Sequence, residues 1–234
     1  RDAAIAIDGV YSNPAGVAFL PEGFHLSLSW QAAAQKRQMN ATNLLFMNNT
    51  KNPSKDRFFE GETFAPVIPS FQAAYIFNDK WSVSAQFAVG GGGGACEFAN
   101  GLPMFEELIG GMAYKFGSMI GSSAYSLDQN LTGKQYFFGL QVGGTYKIAD
   151  MVSVFAGLRT VMAKASYVGA ISNINIGGIT ASSPIFQQMP AMAQYAALLA
   201  DYKLDCNQSD FGFTPIVGVD VNLGKLNLAA KYEF

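Results

Sequence analysis

Along much of the chain apolar and polar side chains alternate residue by residue, the period of a strand whose two faces meet different surroundings. In FHLSLSW, Phe24, Leu26, Leu28 and Trp30 share one face while His25, Ser27 and Ser29 share the other. In WSVSAQFAV the apolar set is Trp81, Val83, Ala85, Phe87 and Val89, opposite Ser82, Ser84 and Gln86. YFFGLQVGGTYKI sets Phe138, Leu140, Val142 and Tyr146 against Gln141, Gly143 and Thr145. FGFTPIVGVDVNL and KLNLAAKYEF repeat the pattern through Val217, Val219 and Val221 and through Leu226, Leu228 and Tyr232. Strands are predicted at about 23–34, 65–78, 81–94, 134–149, 151–176, 209–223 and 225–234.

These segments outrun the roughly 5 to 6 residues of a globular strand and meet the roughly 9 to 11 that a tilted strand needs to cross a bilayer. Short turns at 78–81, 148–151 and 223–225 alternate with long connections near 35–64, 95–133 and 178–207. In a meander that alternation puts every short turn at one end and every long loop at the other, the layout of an outer-membrane barrel with short periplasmic turns. The expected fold is therefore all-β, a transmembrane antiparallel β-barrel integral to the bacterial outer membrane. A soluble sandwich or lipocalin-like barrel also alternates, but does not explain long strands joined to one-sided long loops. Seven strands are an odd number for a closed barrel, so either the first twenty residues supply an eighth or the chain is part of a longer barrel, and the latter is expected.

Two of the long loops carry helical spacing of apolar residues, at 103–116 and 183–203. Met104, Phe105 and Leu108 from the first and Phe186, Met189 and Met192 from the second are expected to face one another, capping the rim or forming a groove for an apolar ligand.

Composition narrows the function. Only 14% of the 234 residues are charged, against roughly 25% in an ordinary soluble domain, and the formal net charge is -2. No basic run is available to displace phosphate counterions, so a nucleic-acid partner is not expected. The single histidine, His25, has no cysteine or carboxylate at ligand spacing, so neither a metal site nor another cofactor is expected. No nucleophile, base and acid constellation, no G-x-S-x-G elbow and no phosphate loop is visible, so the protein is read as a non-enzyme and a lipase-type barrel is disfavoured.

One stretch breaks the alternation: the strand at 81–94 ends in five glycines, Gly90, Gly91, Gly92, Gly93 and Gly94. Glycine weakens a strand and marks a bulge, a bend or a close backbone approach, so a kink is expected there.

The order VYSNPAGVAFLPEG, then FAPVIPSFQAAYIFNDKWSVSAQFAV, then YKIADMVSVFAGLRTVMAKASYVGAI and FGFTPIVGVDVNLGKLNLAAKYEF resembles the FadL/TodX-type outer-membrane transporters of long-chain fatty acids and other hydrophobic compounds. The resemblance implies a 14-stranded barrel, about half of it covered here, plugged by an N-terminal hatch. Residues 1–22 would be the end of that hatch, with Ser12, Asn13, Pro14 and Ala15 as its NPA element, and 23–234 the barrel strands. It further implies that the glycine kink opens the wall sideways and that Lys164 belongs to the ligand head-group site. A change of parity along MVSVFAGLRTVMAKASYVG suggests a bulge near Thr160 that turns both Arg159 and Lys164 to the lumen, where a cation would pair a carboxylate.

The function expected on these grounds is passive transport of hydrophobic small molecules such as fatty acids, by hatch rearrangement and lateral release into outer-membrane lipid, the protein acting as a monomer. The alternative is a structural or protein-interaction barrel that uses the same opening to hold a partner. Strand directions place Cys96 and Cys206 together at the long-loop end, where a disulfide between them is expected.

Overall fold

The computed structural model describes residues 3–189 and 192–234. Seven strands form one antiparallel meander in chain order. They are β1 (Gly23–Thr42), β2 (Asp56–Ile76), β3 (Trp81–Phe98), β4 (Tyr125–Ala149), β5 (Val152–Ile176), β6 (Tyr202–Asn222) and β7 (Asn227–Glu233). A helical turn, α1 (Gly9–Ser12), and a 3-10 turn over Pro14–Phe19 precede the sheet, and the helix α2 (Pro103–Ile120) links β3 to β4. Among the described residues β1 and β7 do not pair with each other.

The register aligns the alternation of every strand. Phe24 pairs with Tyr75, which pairs with Val83, while Ala85 pairs with Val142, Val142 with Leu158, and Val217 with Tyr232. One face is thereby an apolar belt, with Phe24, Leu28, Trp30, Val142, Phe213 and Tyr232 exposed along it. The other face carries Gln72, Ser82, Ser84, Gln86, Gln141, Thr145, Ser153 and Asp220, all buried. Side chains that would be costly to expose to water point outward, and polar ones point inward, the inverse of a soluble protein.

The polar face is concave. α1 and the 3-10 turn touch β2 through β6, and Asn13 reaches the Ala230 carbonyl of β7, which so short a segment can do only if the sheet curls around it. Asn13 is fully buried and its Nδ2 donates to Val219 O at 3.0 Å and Ala230 O at 3.3 Å. Thr145 Oγ1 donates to Pro14 O at 2.9 Å, Ser153 Oγ to Ala15 O at 2.7 Å and Gln141 Nε2 to Val10 O at 3.1 Å. The barrel wall thus satisfies the carbonyls of a segment too short to satisfy its own. Gly218 leaves the room: a Cβ there would run into the Asn13 side-chain oxygen.

At the loop end β1, β2, β3, β4 and β6 extend past their predicted ends, while β5 ends at Ile176 as expected, so the loops shrink to 43–55, 99–124 and 177–201. In these extensions the regular alternation fades, while the ladder continues on cross-strand pairs such as Lys36 with Glu62 at 2.7 Å and Glu60 at 3.1 Å. The helix predicted from 103 runs on to Ile120, where Gly121 in a left-handed conformation (φ 77) ends it. Among its described residues the segment 183–203 holds not one helix but single turns, α3 (Ile185–Gln188) and α4 (Ala193–Ala196), and a short 3-10 turn over Ala197–Leu199. Pro190 between them has no N–H for a continuous helix. α2 packs Ile109, Ala113 and Phe116 against Tyr125, Leu127, Ile171, Ile174 and Ile176, making an apolar core at the loop end.

The expected disulfide is corrected by the register. Cys96 lies opposite Gly133, Gly133 opposite Tyr167 and Tyr167 opposite Cys206, so the cysteines share a level but stand three strand spacings apart. At about 4.8 Å per spacing that is about 14 Å, beyond any disulfide, and both thiols are free. Alkylation of unreduced, membrane-extracted protein is therefore expected to label both cysteines, and a crosslinked peptide containing Cys96 and Cys206 would contradict this register.

Candidate functional site

The β2 and β3 ladder has a break. Pairing runs from Ile76 with Ser82 up to Ser70 with Ala88 and resumes only at Phe64 with Ala95, leaving 65–69 and 89–94 without ladder partners in each other. The sequence explains both lips. Pro66 and Pro69 on β2 have no N–H to donate. On β3 the glycines stay joined to β4 only through two register shifts, between Val89 and Gly91 and between Gly92 and Gly94. Gly92 has φ 75 and Gly94 φ 153, and a Cβ at Gly92 would overlap the Gln135 carbonyl oxygen. Only glycine fits there without strain. Trp30 pairs with Pro69, so the break begins at the outer margin of the apolar belt.

Two cavities lie behind it, between the wall and the N-terminal segment. The larger, about 600 Å³, reaches from Ile68, Pro69 and Val89 at the break to Asp8 and Tyr11. The smaller, about 290 Å³, has Ala88, Gly90, Phe137 and Val161 along it and Arg159 and Lys231 in its wall. Tyr11 borders both.

The charges of the smaller cavity form one network. Arg159 Nη1 donates to Glu233 Oε2 at 2.8 Å, and Lys231 Nζ lies 3.0 Å from Glu233 Oε1. Arg159 also donates through Nη2 to Gln141 Oε1 at 2.6 Å, and Gln141 in turn donates to Val10 of α1. Two cations face one carboxylate, leaving one positive charge in excess beside an apolar wall.

Arg159 is lumenal, as expected, but Lys164 is not. Pairing between β5 and its neighbours is unbroken from Val152 to Ile171 on β6, and no register shift falls near Thr160 on β4. Without the expected bulge the five steps from Arg159 to Lys164, an odd number, reverse the face. Lys164 stands on the outer face opposite Tyr136 and Ser209. The parity change comes instead from small residues, Val161, Ala163 and Ala165, that simply point inward.

The loop groove is displaced from the residues expected to form it. Phe186 is buried in the loop core with Phe105 and Met192 against it, whereas Met104, Leu108 and Met189 are exposed. The open apolar cleft, about 300 Å³, lies on the next faces of the helices, between Met112, Phe116 and Met119 of α2 and Tyr195, Leu198 and Leu199.

An apolar outer belt on long antiparallel strands, above a polar inner face, fits one setting only. This is an integral outer-membrane barrel protein. No family model matches the barrel chain, and no curated protein does. Among the solved structures that match are two of Ail, the attachment invasion locus protein of Yersinia pestis. One, in complex with the heparin analogue sucrose octasulfate, is 16% identical over 91% of this chain and 87% of that one, with a TM-score of 0.35. The other is 15% identical over the same shares, with a TM-score of 0.31. The FadL/TodX-type assignment is corrected: no family model and no curated protein of that kind matches, and the described residues form a sheet of seven strands, not fourteen. The motifs that suggested it, NPA and a glycine-ended strand, are short and answer local needs of this fold, a capped turn and a broken ladder.

Sequence reasoning located the glycine run and Arg159 but missed Lys231, Glu233, Pro66 and Pro69. Their signals were present: two charges at lumen parity in the last strand, and two prolines in a segment otherwise patterned as a central strand. Substitution sorts the glycines. Gly92→Ala is expected to lower barrel stability by about 1–3 kcal/mol, while Gly90→Ala, whose Cβ meets nothing closer than the Phe137 carbonyl at 3.9 Å, is expected to change little. Urea unfolding in detergent measures both, and equal effects would contradict the local geometry.

Proposed function

We propose that the barrel passes elongated hydrophobic molecules between its lumen and the bilayer through the break between β2 and β3. The observation that carries this is the continuity of the break with the two cavities, whose far wall holds the excess positive charge of Arg159 and Lys231. A molecule with an apolar tail and an anionic head matches that order: the tail along Gly90, Val161 and Phe137 toward the break, the head at Arg159. A carboxylate taking an Arg159 donor would compete with Glu233 and Gln141, and Gln141 also holds the Val10 carbonyl. Head binding would therefore loosen the N-terminal segment from the wall, coupling occupancy to opening.

The lips also speak against a β-strand as the guest. Two prolines and a glycine run with left-handed residues cannot template a ladder, the devices by which proteins blunt a sheet edge. A second reading, a barrel that holds a protein partner, rests on a different place. Leu44 and Met47, in the turn that contacts α2, and Met104, Leu108 and Tyr114 of α2 are exposed apolar side chains at the loop end.

Uptake separates the two. Proteoliposomes bearing the protein are expected to take up a fluorescent long-chain fatty acid. Gly90→Leu, which fills the smaller cavity, should slow this about tenfold, while Arg159→Met should slow the acid more than its methyl ester. Both variants are to be confirmed as assembled by their heat-dependent shift on gels. Uptake unchanged in assembled Gly90→Leu, or absent in the wild type, would remove the passage reading. Loss of a cell-surface partner on changing Leu44 and Leu108 to Gln would then support the second.

A further inference from the structure

The outward turn of Lys164 brings it beside a second lysine on the lipid side of the wall. Three successive rows of the register cross β4, β5 and β6 there. Phe138, Met162 and Phe211 form the first, Tyr136, Lys164 and Ser209 the second, and Lys134, Ser166 and Asn207 the third. Pairing between β4 and β5 is continuous from these rows to Val142 and Leu158, so Lys134 and Lys164 share the outer face with them, and both are exposed. Lys134 and Lys164 are diagonal neighbours, about 7–8 Å apart at the backbone and within reach of long side chains. Their ammonium groups can meet on one guest. An open groove of about 420 Å³ runs past both, with Tyr136, Ser166, Asn207 and Ser209 along it.

The rows also fix the level of the pair in the membrane. Tyr146 packs on Trp81 at the short-turn end, with ring centroids 4.6 Å apart, and Tyr136 lies ten residues further along β4 on the same face. At about 3.4 Å per residue and a tilt of about 35–45°, the two tyrosines differ in height by about 25 Å, the height of an apolar band between its aromatic girdles. Tyr136 therefore marks the outer interface, and the lysines stand where lipid headgroups begin. Just inward, Phe138, Met162 and Phe211 offer an apolar ledge to acyl chains.

Neither lysine is neutralised. Lys36, Lys51 and Lys231 each hold a carboxylate, but among the described residues no ion pair reaches Lys134 or Lys164. Glu97 lies opposite Thr132, on the side of Lys134 away from Lys164, and Asp205 lies opposite Val168, nearer the loops. Asp210 pairs with Ala163 and so has the inward parity. Two free cations with hydroxyl donors beside them select the anion. A phosphate monoester carries about −1.5 to −2 charges at neutral pH and three acceptor oxygens, whereas a diester or a carboxylate would leave one lysine unmatched.

We propose that this groove binds a phosphate monoester on the headgroup of an outer-leaflet lipid, with Lys134 and Lys164 clasping the phosphate and the acyl chains lying on Phe138, Met162 and Phe211. The site is on the outside of the wall and is independent of passage through the β2 and β3 break.

The test is native mass spectrometry of the full chain released from detergent micelles, with bisphosphorylated lipid A, the same lipid stripped of its phosphates, and phosphatidylglycerol as separate probes. The phosphorylated lipid is expected to bind about tenfold tighter than either of the others, and Lys134→Gln and Lys164→Gln are each expected to weaken it about tenfold. Arginine at both positions should keep the preference. Both side chains are exposed, and the heat-dependent gel shift confirms assembly of each variant, so a failure of one leaves the other as the test. Equal binding of the three lipids, or a preference unaltered in the assembled glutamine variants, would overturn the site. Complete displacement of the lipid by millimolar inorganic phosphate would mark a site for the free ion and overturn the lipid as its occupant. Fatty-acid uptake by the same variants should be unchanged, which keeps the two functional readings apart.

Discussion

A bilayer offers no water to an unpaired peptide group, and that constraint organises the whole molecule. It requires strands to be laddered where they cross, which is why the alternation in sequence becomes a continuous register from Asp128 to Lys147 between β4 and β5 and from Val152 to Ile171 between β5 and β6. It also makes every departure from the ladder informative. The longest departure within the wall lies between β2 and β3, where Pro66 and Pro69 withdraw two donors and Gly90 to Gly94 give up side-chain packing, with shorter register shifts between Gln31 and Ala33 and within the glycine run. The two lips are matched in chemistry, each unable to pair, so the break is built into both strands rather than a defect in one.

The lumen meets the same constraint by different means. Serine, threonine and glutamine side chains of the wall satisfy the carbonyls of the N-terminal segment, and Asn13 returns two bonds to the wall. Most of these bonds are neutral and single, worth about 0.5–1.5 kcal/mol each, so the segment is held by many weak ties rather than one strong one. Such a contact suits an element whose grip responds to what occupies the neighbouring cavities. Gln141 sits at the junction, bonded on one side to Arg159 and on the other to Val10.

Much of this was legible in the chain. Period-2 alternation placed all seven strands and assigned each face, because the difference between lipid and lumen is written into every second residue. It lost the strands where they leave the membrane, since between Gln35 and Thr42 or Tyr202 and Asp210 no second solvent imposes a pattern. Parity failed at Lys164 because alanine and valine are tolerated inward as well as outward, and a run of them mimics a bulge. The disulfide failed for another reason: strand direction gives the level of a residue but not its distance around the wall. The pair of outward lysines left no local trace, since Lys134 and Lys164 come from two strands that only the register brings together.

The broken ladder is the claim on which the rest stands, and residue-resolved amide hydrogen exchange of the protein in lipid tests it most directly. Amides of 65–69 and 89–94 that face across the break are expected to exchange much faster than those of 70–76 and 82–88 on the same two strands, with β4 and β5 protected throughout. Uniform protection along β2 and β3, equal to that of β4 with β5, would mean a closed wall and would contradict the lateral opening.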